Sequence, residues 1–312
     1  MREKIRIITA NEYYKRTFGQ KIYKLSLDAG CTCPNRDGTL GTKGCIFCSN
    51  GGSGEFAADR TKSITAQIEE AKGRVDAKMP KNADSNKYTA YFQAFTNTYG
   101  NADELKAKYL EAITHPDIVA LSIATRPDCI SDEMLEIISS INKSTPVYVE
   151  LGLQTIHEST AEYIRRGYQL ETYDKCVERL SSKGIDIITH IILGLPGESE
   201  EMMLQSVDYV RKTAEQHPNI TCGIKLQLLH VLKGTDLEKA YNDGVFEVLT
   251  LEEYVDIIYK SLAILEDKVV IHRLTGDGDK KLLVAPLWSA NKKLVLNEIN
   301  KLYTTAPTTL PQ

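Results

Sequence analysis

Four of the seven cysteines fall between residues 31 and 48. They read Cys31-Thr-Cys33-Pro-Asn-Arg-Asp-Gly38, then Gly44-Cys45-Ile-Phe-Cys48. Two residues between Cys45 and Cys48 let both thiolates reach one metal centre. Cys31 and Cys33 are one residue apart, so in extended chain both point the same way. If both bind, four thiolates close around a zinc ion and form a staple. If only one binds, three thiolates such as Cys33, Cys45 and Cys48 hold three irons of a cubane cluster. The fourth iron is then open, and an open iron is a place for chemistry. Spacing alone leaves both readings standing. The glycines around the cysteines let backbone wrap a cluster closely, and its amides can donate to sulfur.

The elements that must position this loop follow from periodicity. Near-continuous aliphatic runs predict strands over 22–27, 88–92, 118–124, 147–153, 185–193 and 223–229. Runs with a 3.6-residue period predict helices over 66–79, 102–113, 131–141, 172–183, 198–216 and 251–265, with Gly or Pro at the joints. Strands that alternate with helices imply a parallel sheet, either open and doubly wound or a closed or partly closed barrel. Six units suit a partial barrel. In both cases function belongs at the C-terminal ends of the strands, and the cysteine loop begins at one of them.

The 312 residues are enough for one large α/β domain or two ordinary ones. At 42% hydrophobic and 26% charged, with a net charge of -4, the chain has no global pull toward nucleic acid. Basic residues do gather locally, in the N-terminal segment (Arg2, Lys4, Arg6, Lys15, Arg16, Lys21, Lys24) and at Lys280-Lys281 and Lys292-Lys293. No apolar run is long enough to span a bilayer, and the N-terminus lacks the apolar core of a signal peptide. A cytoplasmic protein with reduced thiols is expected, in which clustered cysteines are metal sites rather than disulfides. Residues 304–312 are polar and contain proline, and are expected to fray.

Further motifs sit at the predicted strand ends. They are Tyr91-Phe-Gln-Ala-Phe-Thr-Asn-Thr-Tyr99, Thr125-Arg-Pro-Asp128, Glu150-Leu-Gly-Leu-Gln154, Gly194-Leu-Pro-Gly-Glu198, and Lys225 with the His230 to Thr235 stretch. With the cysteine motif, this ordered set resembles the radical S-adenosylmethionine (SAM) enzymes. Within them it resembles the YtqA/YhcC-like group, relatives of the catalytic subunit of elongator. The resemblance runs from about Lys21 to Trp288.

The resemblance implies a partial (β/α)6 TIM-type barrel of the radical SAM kind with a C-terminal helical extension. It divides the chain into a basic extension (1–20), a core (21–245) and a C-terminal extension packed on the core (246–312). It implies a [4Fe-4S] cluster on Cys33, Cys45 and Cys48, since the family cysteine precedes Pro-Asn-Arg-Asp-Gly, and it makes Cys31 a bystander. It implies SAM on the open iron and a 5′-deoxyadenosyl radical that takes hydrogen from substrate. Gln93 and Thr96 stand where the family meets the methionine moiety, although the Gly-Gly-Glu of many relatives is missing. Glu150 and Gln154 suit ribose hydroxyls or an ammonium, and Gly194 and Leu195 the adenine. Arg126 and Lys225 are the expected catalytic residues, each suited to a carboxylate; Lys225, isolated in an apolar strand, otherwise pairs with Glu150.

The implied substrate is the wobble uridine of transfer RNA, its carboxymethylaminomethyl group on carbon five being cut back to aminomethyl. Implied partners are that RNA, an electron donor of flavodoxin or ferredoxin type and a downstream methyltransferase, with no membrane. The basic N-terminal segment and the C-terminal helices are the expected RNA contacts. Two alternatives remain: a radical SAM enzyme acting on a small metabolite or peptide, and a zinc-stapled binding protein.

Overall fold

The computed structural model describes residues 3–52, 54–76, 86–276 and 278–305. Its strands are β1 (Ile5–Thr9), β2 (Ile22–Leu27), β3 (Lys87–Phe92), β4 (Ile118–Thr125), β5 (Val147–Gln154), β6 (Asp186–Leu193), β7 (Cys222–Leu228), β8 (Val231–Leu232), β9 (Val270–Arg273), β10 (Leu283–Ala285) and β11 (Tyr303–Thr305). Its helices are α1 (Ala10–Phe18), α2 (Ile64–Asp76), α3 (Ala102–Thr114), α4 (Asp132–Asn142), α5 (Glu158–Tyr163), α6 (Leu170–Ser182), α7 (Glu200–Gln216), α8 (Asp236–Asn242), α9 (Leu251–Leu265) and α10 (Lys292–Asn300).

All six expected strands form, as β2 to β7, and they pair in chain order, every pair parallel. A doubly wound sheet would reverse its order partway across. No reversal occurs, so the helices lie on one face and the other face curls inward. The curl is visible in side chains that meet across distant strands. Lys225 Nζ on β7 lies 3.3 Å from the Tyr91 hydroxyl on β3, four strands away. In a flat sheet that separation would be about 19 Å. The barrel is partial: β2 stands at one edge and β11 at the other.

Alternation along each strand sorts the side chains. On β5, Val147, Val149, Leu151 and Leu153 join the large apolar core under the helices. Tyr148, Glu150, Gly152 and Gln154 take the other face, as the period of two requires. The helices begin where polar side chains satisfy their first amides: Asn101, Ser131, Ser199, Thr235 and Thr250 each accept a backbone N–H. The expected helix over 66–79 is seen as α2; residues 77–79 lie outside the described residues.

Three strands of the nine-stranded sheet come from segments read as extensions. Residues 5–18 form β1 and α1, and the C-terminal part adds β9, which pairs directly with β7, and β11. β1 lies between β9 and β11. Thr304 and Thr305, expected in a frayed tail, belong to β11; residues 306–312 lie outside the described residues.

Helix α1 closes the N-terminal mouth of the barrel. Its Tyr14 packs edge-on to Tyr148 at 5.8 Å and to His272 at 6.0 Å, in a cluster with Ile22, Ala120 and Ile188. The neighbouring Tyr13 hydroxyl donates to Asp186 Oδ2 at the start of β6, at 3.1 Å. The Tyr14 hydroxyl is buried without a hydrogen-bond partner among the described residues. Tyr14→Ala should therefore cost about 3 kcal/mol, read as a lower urea midpoint with unchanged slope. Tyr14→Phe should be neutral or stabilising, because it removes a buried polar group that nothing satisfies. Equal losses in the two variants would show that the hydroxyl, not the ring, holds α1 in place.

Candidate active site

The opposite mouth of the barrel holds a cavity of about 240 Å³. The loop after β2 brings Cys33, Cys45 and Cys48 to its wall, together with Arg36. Cys31 does not line it. That residue is buried in the apolar core beneath α2, and its carbonyl accepts from Arg60 Nη2 at 2.8 Å. Cys31 and Cys33 therefore serve different surroundings, the apolar core and the cavity wall.

Short bonds hold the cysteine loop. The Arg36 amide donates to the Cys33 carbonyl at 2.8 Å, and the Cys48 amide to the Cys45 carbonyl at 3.0 Å. Asn35 Nδ2 donates to the Arg165 carbonyl at 2.7 Å and approaches Cys45 Sγ at 3.4 Å. Arg36 Nη2 donates to the carbonyls of Ser49 at 2.6 Å and Cys48 at 3.0 Å. Two glycines make this packing possible. Gly52 has φ of +58°, and a Cβ there would lie 2.4 Å from the Phe95 ring. Gly167 has φ of +82°, and a Cβ there would lie 2.8 Å from Asn35 Oδ1.

The ends of β3, β4 and β5 supply the adjoining wall: Gln93, Phe95 and Thr96, then Arg126, then Gly152 and Gln154. Gln154 has φ of +69°, a left-handed conformation that costs a residue with a side chain of order 1–3 kcal/mol. Its Oε1 is buried and has no hydrogen-bond partner among the described residues. A strained residue with an unsatisfied acceptor in a cavity wall is suited to a ligand that donates. Arg126 holds Asp128 with two parallel bonds, Nε to Oδ1 at 2.9 Å and Nη2 to Oδ2 at 2.8 Å. The ring of Tyr168 lies between Arg126 and Arg166, 5.3 and 4.5 Å from their guanidinium carbons. Arg166 straps the segment after β5 through the carbonyls of Thr155 at 2.6 Å and Tyr168 at 2.9 Å.

Four expected site residues are placed differently. Gly194 and Leu195 do not line the cavity. Leu195 packs beside Ile46, Ile164, Ile192 and Leu229 in a small apolar cluster, and Gly194 backs onto Leu249. Glu150 and Lys225 are also absent from the cavity wall. Both are buried, and they pair with each other inside the barrel. Glu150 Oε1 takes the Lys24 ammonium and the Ser122 hydroxyl, the latter at 2.6 Å; Oε2 takes Lys225 and His190 Nε2, the latter at 2.8 Å.

This network is electrostatically tight. Burial disfavours the charge of Glu150, but the ammoniums of Lys225 and Lys24 and the His190 bond hold its carboxyl well below the usual range. Burial pushes Lys225 down to about 7 against the pull of Glu150, and Lys24 and Arg273 add to the push. Burial and the Lys225 charge push His190 down to about 4, so its imidazole is neutral near pH 7.

His190, Gln227, Arg273, Asn35, Arg36, Arg166 and Tyr168 carry no role in the sequence reading, yet all but Asn35 line the cavity. One signal was present. Lys24, Glu150 and His190 are each ionisable residues inside largely apolar strands, the same feature that drew attention to Lys225.

The family model of the Radical SAM superfamily matches residues 35–210, and that of the Radical_SAM C-terminal domain matches residues 221–304. This chain belongs to the radical SAM superfamily. It is 42% identical over 293 residues to the uncharacterized protein YtqA of Bacillus subtilis, covering 94% of this chain and 88% of that one. It is 27% identical over 173 residues to the tRNA uridine(34) acetyltransferase of Methanocaldococcus jannaschii, covering 55% of this chain and 31% of that one. Its fold is shared with archaeal Methanocaldococcus infernus Elp3 lacking its N-terminus (1-46), at a TM-score of 0.62 and 19% identity. That match covers 90% of this chain and 63% of the other.

The protein is thus a radical SAM enzyme, with a [4Fe-4S] cluster and SAM as its cofactors. The cavity fits that pair. Three thiols line it, and an unsatisfied acceptor waits at Gln154. Among the described residues no three metal-ligating side chains close on a single point. A cubane does not ask them to, because each thiolate takes its own iron. No described helix is long and apolar enough to cross a membrane.

Glu150→Gln should lower stability by about 3 kcal/mol near pH 5, since it leaves the buried Lys225 ammonium and the half-buried Lys24 ammonium without their carboxylate. The part carried by Lys225 should shrink as pH rises through about 7 and stay constant above it. Lys225 is pushed down to about 7 in the wild-type protein and, without the pull of Glu150, gives up its proton at lower pH still; once it is neutral in both folded proteins, both gain stability with pH at the same slope. Urea titrations of both proteins across this range test the point; a loss equally large well below and well above pH 7 would show that Lys225 does not carry the strain.

Proposed function

We propose that this radical SAM enzyme acts on the wobble uridine of transfer RNA, converting its carboxymethylaminomethyl group on carbon five to aminomethyl. The observation that carries the reading is the cavity itself. It gathers the three thiols, the unsatisfied Gln154 and a polar wall at one mouth of a fold shared with Elp3. The likeness to proteins named as tRNA uridine(34) acetyltransferases supports uridine 34 as the target.

In this reading Cys33, Cys45 and Cys48 hold the cluster, and Asn35 donates toward Cys45. Gln93, Thr96 and Gln154 hold SAM, with Gln154 Oε1 taking a donor from its ammonium or ribose. When bound, the cluster and SAM supply a carbon radical able to abstract hydrogen from the side chain of the base. The protein's own part is to orient the base and exclude water. Phe95, Tyr91 and Tyr168 offer aromatic edges for a base splayed out of its loop. An electron donor of flavodoxin or ferredoxin type supplies the cluster, and a methyltransferase takes the aminomethyl product.

The RNA contacts expected from the N-terminal segment and from the C-terminal lysines lie at different ends of the barrel. Helix α1 with Lys15 and Arg16 closes the mouth opposite the cysteines. Lys280 and Lys281 are better placed, in the segment whose Gly276 and Gly278 line the cavity.

Two measurements test the reading. Cys45→Ala, purified anaerobically, should lose the brown colour and the roughly four irons per chain that a [4Fe-4S] site holds, while Cys31→Ala should keep both. Loss of iron in the Cys31 variant would overturn the ligand assignment. Transfer RNA nucleosides from a deletion strain, compared by mass spectrometry, should show carboxymethylaminomethyluridine accumulating at the expense of aminomethyl derivatives. An unchanged wobble-uridine profile would remove the RNA substrate and favour a small metabolite or peptide.

A further inference from the structure

The cavity has two chemically different sides. One carries the thiols; the other, built by β6 and β7, presents His190 and Gln227. What that second side offers is decided by Glu150. An ionised carboxylate only accepts, so the 2.8 Å contact to Glu150 Oε2 places the hydrogen of a neutral His190 on Nε2. The other ring nitrogen, Nδ1, is then an acceptor. Gln227 Nε2 lies 3.3 Å from that Nδ1 and donates one of its two N–H groups to it. Turning the amide over would set its Oε1 against a lone pair, so the orientation is fixed by the ring. The amide makes no other hydrogen bond among the described residues. Its second N–H and its Oε1 remain for the cavity that Gln227 lines, a donor and an acceptor side by side.

A fixed donor and acceptor match a group that presents the complementary pair on one edge. Uracil does so, with N3–H donating and O4 accepting. Cytosine has the roles exchanged at the same two positions, N3 accepting and the 4-amino group donating. A free glutamine amide turns over and pairs with either base; the bond to His190 removes that freedom. We propose that Gln227 reads the uracil edge of the substrate base, with His190 and Glu150 as positioning residues that hold its amide in the matching orientation. That edge leaves carbon five uncovered for the reaction. Because the group on carbon five must meet the same reacting atoms, cytosine cannot compensate by turning its ring over. The proposal rests on the reading of the substrate as a modified wobble uridine. The adenine of SAM also offers a donor beside an acceptor, so the test must separate the two sources.

The holoenzyme, with its cluster and SAM, is titrated anaerobically by equilibrium dialysis with 5-carboxymethylaminomethyluridine and with the cytidine that carries the same group. The wild-type protein should bind the uridine at least about tenfold more tightly, because cytosine sets donor against donor and acceptor against acceptor. Gln227→Met, similar in length, should abolish the preference by weakening the uridine to the level of the cytidine. His190→Gln keeps an N–H at the far end for Glu150 but puts no acceptor where Nδ1 stood, so the Gln227 amide is released. It should raise cytidine binding toward that of the uridine, a gain that a merely structural role would not produce. Both variants should keep their iron and their SAM affinity. Equal binding of the two nucleosides by the wild-type protein, or binding of neither, would overturn the subsite, as would a preference that survives Gln227→Met. A fall in both nucleosides together in His190→Gln would overturn the positioning roles. A fall in SAM affinity confined to Gln227→Met would assign the amide to the adenine of SAM and equally overturn the proposal. A wild-type preference for the uridine, in a protein whose deletion leaves wobble uridine unchanged, would uphold the subsite and refute the transformation.

Discussion

A single buried carboxylate ties the inside of this barrel together. Glu150 on β5 is held by Lys24 from β2, Ser122 from β4, His190 from β6 and Lys225 from β7. These groups meet only when the sheet curls, and an ionised carboxylate far from water is tolerated only when they do meet. The charges thus penalise any flatter or slipped arrangement of the strands. A one-residue slip on β5 would turn Glu150 into the helix-facing core and Leu151 into the polar layer. Below this layer the interior is aromatic and closed by α1; above it lies the cavity.

The same network couples frame to site. His190 and Tyr91 belong to the layer and also line the cavity, so the charge state fixed at Glu150 is passed to the wall as a particular tautomer. The thiol side depends on different physics. There the backbone is bent by glycines and pinned by Arg36 and Asn35, and strain is concentrated at Phe95 and Gln154, both with positive φ. A rigid charged layer supports one side and a tightly wound loop the other, which suits a cavity that must hold a reactive cofactor away from water.

Much of this was legible in the chain. The β2 to β7 strands were readable because each is a mostly apolar run, aliphatic in β4 to β7 and aromatic-rich in β3, and the cysteine loop because thiol spacing survives any fold. β1, β9 and β11 were not. They are three to five residues long, and β1 carries basic and polar residues beside its apolar ones, so no periodicity marks it. Their strand character comes from neighbours, β9 from β7 and β1 from β9. Among site residues, Gln93, Thr96, Arg126 and Gln154 reach the cavity wall because a strand end fixes where its next residues go. Gly194 and Leu195 also follow a strand end, but the chain there turns into a small apolar cluster with the cysteine-loop residue Ile46.

The amino-acid sequence by itself determined the chemistry class. Thiols at these intervals, and the ordered motifs at strand ends, are properties of residues close together in the chain. Tertiary structure decided that Cys33 reaches the cavity wall while Cys31, two residues away, is buried in the apolar core. It also decided that Lys225 and Glu150 brace the barrel while His190 and Gln227 line the cavity. Those assignments depend on how far the sheet curls and which strands come to face one another. That curl arises from all the strands together, and no local stretch of sequence contains it.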